Sequence, residues 1–242
     1  RRDRWTWGRR GNGNTANAGC RNAGAAGAER MADLLLALDV KGKSEAVRVA
    51  NACTGEVDSI KIGYPLVLST GLGIVKDLSK ADIPIIADFK VADIPNTNSL
   101  ICEEVFGAGC SGIITHAFCG HDSLAACVDS AHDHGGVCFV VCEMSHPGAL
   151  EFLTGNNAEK MAEMAKSAGA DGIIAPATRP ERTAILRGII GSSMKIYSPG
   201  VGAQGAQPED VKKYVDGIIV GRAIYEAADP KTAAHEFRVR AR

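Results

Sequence analysis

The sequence has no long apolar run. Its apolar stretches span at most about eight residues of 242, too few to cross a bilayer, so no membrane association is expected. The N-terminal residues lack the apolar segment of a signal peptide. None of the eight cysteines forms a C-x-x-C pair, and most fall in apolar or helical segments. This usage favours reduced, buried thiols in a cytoplasmic protein over a disulfide framework.

Metal-binding and nucleotide-binding signatures are also missing. The spacing of His116, His121 and His146 matches no zinc motif, so no metal is expected. No G-x-G-x-x-G follows the first apolar run, which argues against a dinucleotide-binding domain.

Positive charge is concentrated at the N-terminus. Residues 1–30 hold seven Arg against two acidic residues, a net charge of +5 in a chain whose total is −1. This segment is rich in Gly, Asn and Ala without periodicity, and we predict a disordered extension or a cloning artefact. Trp5 and Trp7 are the only aromatic residues among its charges, so nucleic-acid binding is not expected. Residues 31–242 are predicted to form one domain.

Eight short apolar runs alternate with helical patterns in that domain. They are rich in Ile, Val and Leu without strict alternation, as in parallel strands that are buried on both faces. Eight such units in one domain predict a (β/α)8 TIM barrel, with a doubly wound open sheet as the alternative. The runs are 34–39, 57–62, 83–88, 112–116, 137–142, 172–175, 195–198 and 217–220.

Helix signals occupy the intervals between these runs. Glycine follows several of the segments, and proline stands near the start of others, as at natural helix ends. The predicted helices cover 45–52, 99–108, 121–134 and 157–168, and two more begin near Pro180 and Pro208.

The segment Asp88-Phe-Lys-Val-Ala-Asp-Ile-Pro95 places three charges at the end of the third run. Period-2 geometry predicts that Asp88 and Lys90 point to the same side of the strand. Two carboxylates around one lysine at a buried strand end cost free energy unless they are paired or used. The motif alone fits either a catalytic cluster or a surface network of ion pairs.

Other polar residues follow the remaining runs, at the end of a barrel where active sites form. Asp39 is a candidate hydroxyl acceptor or a structural carboxylate, and Ser145 either binds a heterocycle or forms a turn. His116 and Glu143 have no evident role and are predicted to be structural or supporting. The glycine-rich segment 198–205 and the segment 220–222 follow the last two runs and predict a phosphate site that includes Arg222.

These segments together resemble the orotidine 5′-monophosphate decarboxylase family, and in particular its archaeal branch. The resemblance extends from about residue 33 to 230 and rests on 57–68, 85–97, 143–148, 178–182 and 198–204. It implies a (β/α)8 barrel that dimerises across its active sites. It also implies conversion of orotidine 5′-monophosphate to UMP, the last step of pyrimidine synthesis, without metal or organic cofactor.

The resemblance further implies individual roles. Lys61, Asp88, Lys90 and Asp93 match the family's charge tetrad, with Lys90 as proton donor to C6 of the pyrimidine and Asp88 beside the departing carboxylate. Asp93 reaches into the partner's site. Other implied substrate contacts are the ribose ligands Asp39, Lys61 and Thr97, the pyrimidine ligand Ser145, the phosphate-side residues Pro199, Gln204, Gly221 and Arg222, and the apolar wall of Ile94, Ile114 and Val141.

The sequence departs from the family pattern at two places. Cys119 stands where a proline is expected, and an Arg-containing segment, 237–242, replaces a longer apolar final helix. The second departure bears on the packing of the last helix and not on the chemistry.

Two alternatives are weighed against the decarboxylase. Mg²⁺-dependent sugar-phosphate decarboxylases and aldolases also carry D-x-K-x-x-D, but segment 94–97, Ser145 and Gln204 argue against them. A non-catalytic binding protein that acts through residues 1–30 is disfavoured by the intact tetrad.

Overall fold

Eight parallel strands form a closed barrel in the computed structural model, which describes residues 32–241. Each strand pairs with the next in sequence, and β8 closes on β1. The (β/α)8 prediction is therefore confirmed, and the open sheet is excluded. The strands are β1 Asp33–Ala37, β2 Ser59–Gly63, β3 Ile85–Val91, β4 Gly112–His116, β5 Val137–Val141, β6 Gly172–Ile174, β7 Lys195–Pro199 and β8 Gly217–Val220.

Helices surround this barrel. They are α1 Lys43–Ala52, α2 Tyr64–Thr70, α3 Ile74–Leu78, α4 Pro95–Gly107, α5 His121–Asp133, α6 Gly155–Ser167, α7 Pro180–Ile190, α8 Pro208–Val211, α9 Arg222–Tyr225 and α10 Pro230–Ala241, with 3₁₀ turns at Ser79–Ala81 and Pro147–Glu151. Helix α4 begins at Pro95, four residues before the predicted start, because proline is pre-organised for a first helical position. Thr97 consequently lies inside the first turn of α4. Helices α2, α3 and α9 were not predicted.

The strands are buried on both faces, as their composition predicted. One side-chain set fills the barrel interior, and Phe139 and Tyr197 meet there edge to face at 5.0 Å. The alternate set, which includes Ile60 and Ile62, packs against the helices. Strands β7 and β8 come so close at Gly217 that a Cβ there would fall 2.7 Å from the Tyr197 ring. A residue without a side chain is therefore needed at this position.

Polar side chains close the end of the barrel where the strands begin. Asp33 accepts hydrogen bonds from Lys195 Nζ at 2.8 Å and from Tyr197 Oη at 2.7 Å. Arg187 pairs with Asp216 beside them. The charged groups at this end are thus paired with one another. The candidate active site lies at the opposite mouth, where the strands end.

The final helix packs in spite of its arginines. Arg240 binds both carboxylate oxygens of Glu209 at 3.0 Å, and Arg238 donates to the carbonyl of Glu56 at 2.8 Å. Phe237 lies against the loop after β7. The arginines therefore attach α10 by charge-assisted hydrogen bonds in addition to its apolar contacts.

The remaining predictions concern thiols, membrane association and the N-terminal segment. The seven cysteines among residues 32–241 are free, and all except Cys119 are buried. No helix in that range is long and apolar enough to cross a membrane. The predicted disordered segment 1–30 lies outside the described residues.

Candidate active site

Three charged side chains meet at the mouth of the barrel. Asp88 of β3 binds Lys61 Nζ of β2 through Oδ2 and Lys90 Nζ through Oδ1, each at 2.8 Å. Asp39, which follows β1, lies 3.8 Å from Lys61 Nζ. The relative exposure of Lys61 is 7% and that of Asp88 is 9%, so the centre of the array is enclosed and is not a surface salt bridge. Lys90 and Asp39 are partly exposed, on the side where a substrate can reach them.

The backbone that carries Lys90 is irregular. Pairing of β3 with β4 breaks between Ala87 and Val91, and Lys90 adopts a φ of 46°. Asp88 and Lys90 do converge, as period-2 geometry predicted, but a bulge with a left-handed residue brings them together. Non-glycine residues in this region cost about 1–3 kcal/mol and concentrate at functional sites.

The array perturbs the protonation of its members. Burial disfavours the charged form of Asp88, but the positive charges and hydrogen bonds of Lys61 and Lys90 outweigh it and lower the pKa of Asp88. Burial likewise opposes the charged Lys61, and the carboxylates of Asp88 and Asp39 overcome that effect and raise the pKa of Lys61. Asp88 and Lys61 are therefore charged near neutral pH.

Asp93 does not join this array within one chain. Its carboxylate Oδ1 accepts the backbone N–H of Ile94 at 2.7 Å, and its own N–H donates to Asn98 Oδ1 at 3.0 Å. In the part of the chain that the structure describes, Asp93 forms no ion pair with either lysine of the array. Asp93 and Ile94 are exposed instead, beside a surface cleft of ≈ 390 Å³ that Cys119 also lines.

Ser145 and Gln204 come together from the loops after β5 and β7. Gly200 lies between them with a φ of 104°, and a Cβ there would fall 3.6 Å from Ser145 Cβ and 3.4 Å from Gln204 Oε1. The same Cβ would contact Thr178 Cγ2 at 3.0 Å. Glycine thus allows three polar side chains from three loops to converge at one side of the mouth.

The loops after β7 and β8 also adjoin. A Cβ on Gly202 would lie 3.0 Å from Ala223 Cβ, and one on Gly221 would lie 3.3 Å from the carbonyl oxygen of Ala37. Pro199 ends β7 with its carbonyl bound to the N–H of Ala177 at 2.9 Å. Arg222 comes directly after Gly221 in the chain, and its side chain is exposed. The glycine-rich segment after β7 and the segment after β8 that carries Arg222 therefore lie close together, as a phosphate site requires.

The profile of the orotidine 5′-phosphate decarboxylase / HUMPS family matches residues 32–237. The chain belongs to this family.

Curated relatives and solved structures agree with this membership. The chain is 56% identical over 210 residues to the orotidine 5′-phosphate decarboxylase of Methanococcoides burtonii, covering 86% of this chain and 97% of the relative. The Methanosarcina barkeri enzyme is 54% identical, covering 86% and 94%. The crystal structure of the Methanocaldococcus jannaschii decarboxylase with the inhibitor BMP superposes with a TM-score of 0.83 at 44% identity, covering 87% of this chain and 99% of that one.

Family motifs alone gave no role to two groups near the mouth. Glu143 is fully buried between Arg179 and Arg182, at 2.8 and 3.0 Å. His116 ends β4 opposite Val141, and its buried Nδ1 has no hydrogen-bond partner among residues 32–241. Burial and then the charge of Lys90 lower the pKa of His116, so this ring is neutral near pH 7. Ile114 and Val141 lie in the barrel interior below it.

The decarboxylase / HUMPS barrel has no evident metal centre in its described part. No group of three or more His, Cys, Asp or Glu side chains between residues 32 and 241 is placed to hold a metal ion. His116, His121 and His146 do not converge on such a group.

Proposed function

We propose that this chain decarboxylates orotidine 5′-monophosphate to UMP without metal or organic cofactor, and that Lys90 protonates C6 of the pyrimidine. Membership of the family and 54–56% identity to named decarboxylases support the reaction. A structural relative of the same fold was solved in complex with the inhibitor BMP, which supports a ligand-binding site in this barrel. The observation that carries the residue assignment is the enclosed Lys61–Asp88–Lys90 array.

The chemistry requires stabilisation of charge. When the bond between C6 and the carboxylate breaks, CO₂ leaves and the electron pair stays on an sp² carbon. A fixed ammonium stabilises that charge and then supplies the proton, after which Lys90 regains a proton from solvent. Asp88 holds Lys90 at 2.8 Å, and in our proposal it also lies beside the substrate carboxylate and disfavours the bound ground state.

The rest of the substrate is assigned to the surrounding loops. Arg222, Gly221, Pro199 and Gln204 face the phosphate, Asp39 and Lys61 bind ribose hydroxyls, and Ser145 contacts the pyrimidine edge. Because the phosphate is remote from the bond that breaks, binding energy at these loops drives closure and appears in the chemical step.

The proposal includes a cytoplasmic homodimer with shared sites. Asp93 and Ile94 lie outside their own chain's array, and Ile94 is 64% exposed although it is apolar. A two-fold interface would bring Asp93, Ile94 and Thr97 of each chain to the partner's substrate.

The deciding experiment is the change in ultraviolet absorbance when the protein is incubated with orotidine 5′-monophosphate, with and without EDTA. We expect turnover that EDTA does not change. Turnover that EDTA abolishes would favour the magnesium-dependent chemistry of the sugar-phosphate enzymes. No turnover of this nucleotide, together with turnover of a ketose or hexulose phosphate, would contradict the assigned reaction.

A further inference from the structure

Glu143 is a buried carboxylate that the proposed reaction does not use. It lies two residues beyond β5 and its side chain is completely buried. Oε1 accepts Nε of Arg179 at 2.8 Å, and Oε2 accepts Nε of Arg182 at 3.0 Å. A buried ion costs several kcal/mol unless its partners are well placed. Movement of either guanidinium group away from this carboxylate is therefore unfavourable, and the positions of both groups are fixed.

The two arginines belong to the start of α7. Arg179 precedes Pro180 at the helix N-terminus, and Arg182 lies three residues later on the same side. Arg182 also donates to Glu159 at 3.1 Å and to the carbonyl of Gly155 at 3.3 Å, both in α6. The carboxylate therefore joins the loop after β5 to two helices.

The same contacts reach the loop that carries Ser145. Arg179 Nη2 donates to the carbonyl of Met144, the residue between Glu143 and Ser145. Thr178, the neighbour of Arg179, donates from Oγ1 to the carbonyl of Ser145 at 3.4 Å. Two successive carbonyls of this loop are thus held by the segment that Glu143 binds.

Thr178 also contacts the loop after β7. Gly200 approaches Thr178 Cγ2 so closely that an added Cβ would lie 3.0 Å away, and Gln204 Oε1 would lie 3.4 Å from the same Cβ. A displacement of Arg179 would therefore move Thr178 and change the separation of Ser145 and Gln204.

We propose that Glu143 is a positioning residue whose carboxylate fixes Arg179 and thereby sets the relative placement of Ser145 and Gln204 around the substrate base. The inference rests on the proposed function and deepens it. Glu143 does not touch the reacting atoms. Its effect comes from geometry, since a misplacement of about 1 Å near a reacting group costs about a hundredfold in rate.

The test compares Glu143→Gln with Asp216→Asn. Both changes remove the charge of a buried carboxylate bound to arginine, but Asp216 lies at the opposite end of the barrel. We expect both variants to lose thermal stability. Well below either Tm, only Glu143→Gln should lower kcat/KM for orotidine 5′-monophosphate, by about tenfold to a hundredfold. Its affinity for UMP should fall, and its affinity for ribose 5-phosphate, which lacks the base, should not.

Equal effects of the two substitutions on kcat/KM would overturn the proposal and leave Glu143 a structural residue. So would an equal loss of affinity for UMP and ribose 5-phosphate. If Glu143→Gln does not fold, Thr178→Val removes the hydroxyl that holds the carbonyl of Ser145, and the same selective loss is expected.

A double-mutant cycle tests the path. If Glu143 acts through Ser145, Glu143→Gln should cost less in a Ser145→Ala background than in the parent. Fully multiplicative effects would contradict that path. A parent protein that does not turn over orotidine 5′-monophosphate would instead contradict the proposed function, and the comparison of UMP with ribose 5-phosphate would still decide the role of Glu143.

Discussion

Replacing Lys90 by alanine and by glycine separates its chemistry from its backbone strain. Lys90 has a φ of 46°, where an L side chain costs about 1–2 kcal/mol and glycine does not. Both variants lose the ammonium and the 2.8 Å ion pair with Asp88, so those losses cancel when the two are compared. Only Lys90→Gly also removes the strain.

The expected difference has an unusual sign. At an ordinary strand position glycine is less stable than alanine by about 0.5–1 kcal/mol, because glycine loses more conformational entropy on folding. Subtracting this cost from the relieved strain makes Lys90→Gly the more stable variant, by up to about 1.5 kcal/mol.

Urea unfolding at one fixed protein concentration measures this difference, since association makes apparent stability depend on concentration. Two neighbouring positions serve as controls. Asp82 has a φ of 56° and should also favour glycine over alanine, while Lys80, whose φ is not positive, should favour alanine. If Lys90→Ala proved more stable than Lys90→Gly by the ordinary margin, the strain argument would be refuted.

The same variants test the proposed proton donor. Turnover should fall by several orders of magnitude in both, since no other group replaces a positioned acid. A kcat within tenfold of the parent in either variant would remove Lys90 from that role, whatever the stability measurements show.

Three further predictions concern the phosphate site, the shared site and the buried array. Arg222→Ala should lower kcat/KM, with a loss of transition-state stabilisation of about 2–4 kcal/mol, because charge-assisted contacts to the phosphate are removed. An unchanged kcat/KM would mean that the phosphate binds elsewhere. Mixed Lys90→Ala and Asp93→Ala chains should regain roughly a quarter of parent activity, since half the chains enter mixed dimers with one intact site. If mass spectrometry found mixed dimers without regained activity, Asp93 would belong to its own chain's site. Asp88→Asn should lower the free energy of unfolding at pH 7 by about 3–5 kcal/mol, because Lys61 stays buried without its 2.8 Å partner. Burial opposes the charged Asp88, but the lysines lower its pKa, so its stabilisation is present above about pH 4 and is lost as pH falls below that value. A gap between the two unfolding curves that stayed constant from pH 7 to 3 would contradict this assignment.

The barrel was predictable from sequence because its signals are local and repeated. Parallel strands that are buried on both faces need continuous Ile, Val and Leu runs, and each run here coincides with an observed strand to within a few residues. Short helices were harder to predict. Helix α9 has four residues, too few for a hydrophobic period, and its position depends on packing against the loop after β7.

The charged residues at the mouth could also be predicted, because the C-terminal ends of all eight strands lie at the same face of such a barrel. Lys61, Asp88, Lys90 and Asp93 were predicted to form a charge network, and the first three meet within one chain. Asp39, predicted as a hydroxyl acceptor or a structural carboxylate, lies 3.8 Å from Lys61. Asp93 was expected in the partner's site, and the single chain does keep it out of its own array, but the interface itself remains a prediction.

Tertiary structure alone decided the rest. The bulge at Lys90 depends on how β3 pairs with β4, and the residue types around Lys90 do not predict a positive φ at a lysine. The enclosure of Glu143 by Arg179 and Arg182 joins residues more than thirty positions apart, whose meeting depends on the closed barrel. The sequence by itself determined the strands, their order and the charges at their ends. Distances, burial and strain arose only when closure brought those ends into one enclosed space, because electrostatic energies depend on separation and on exclusion of water.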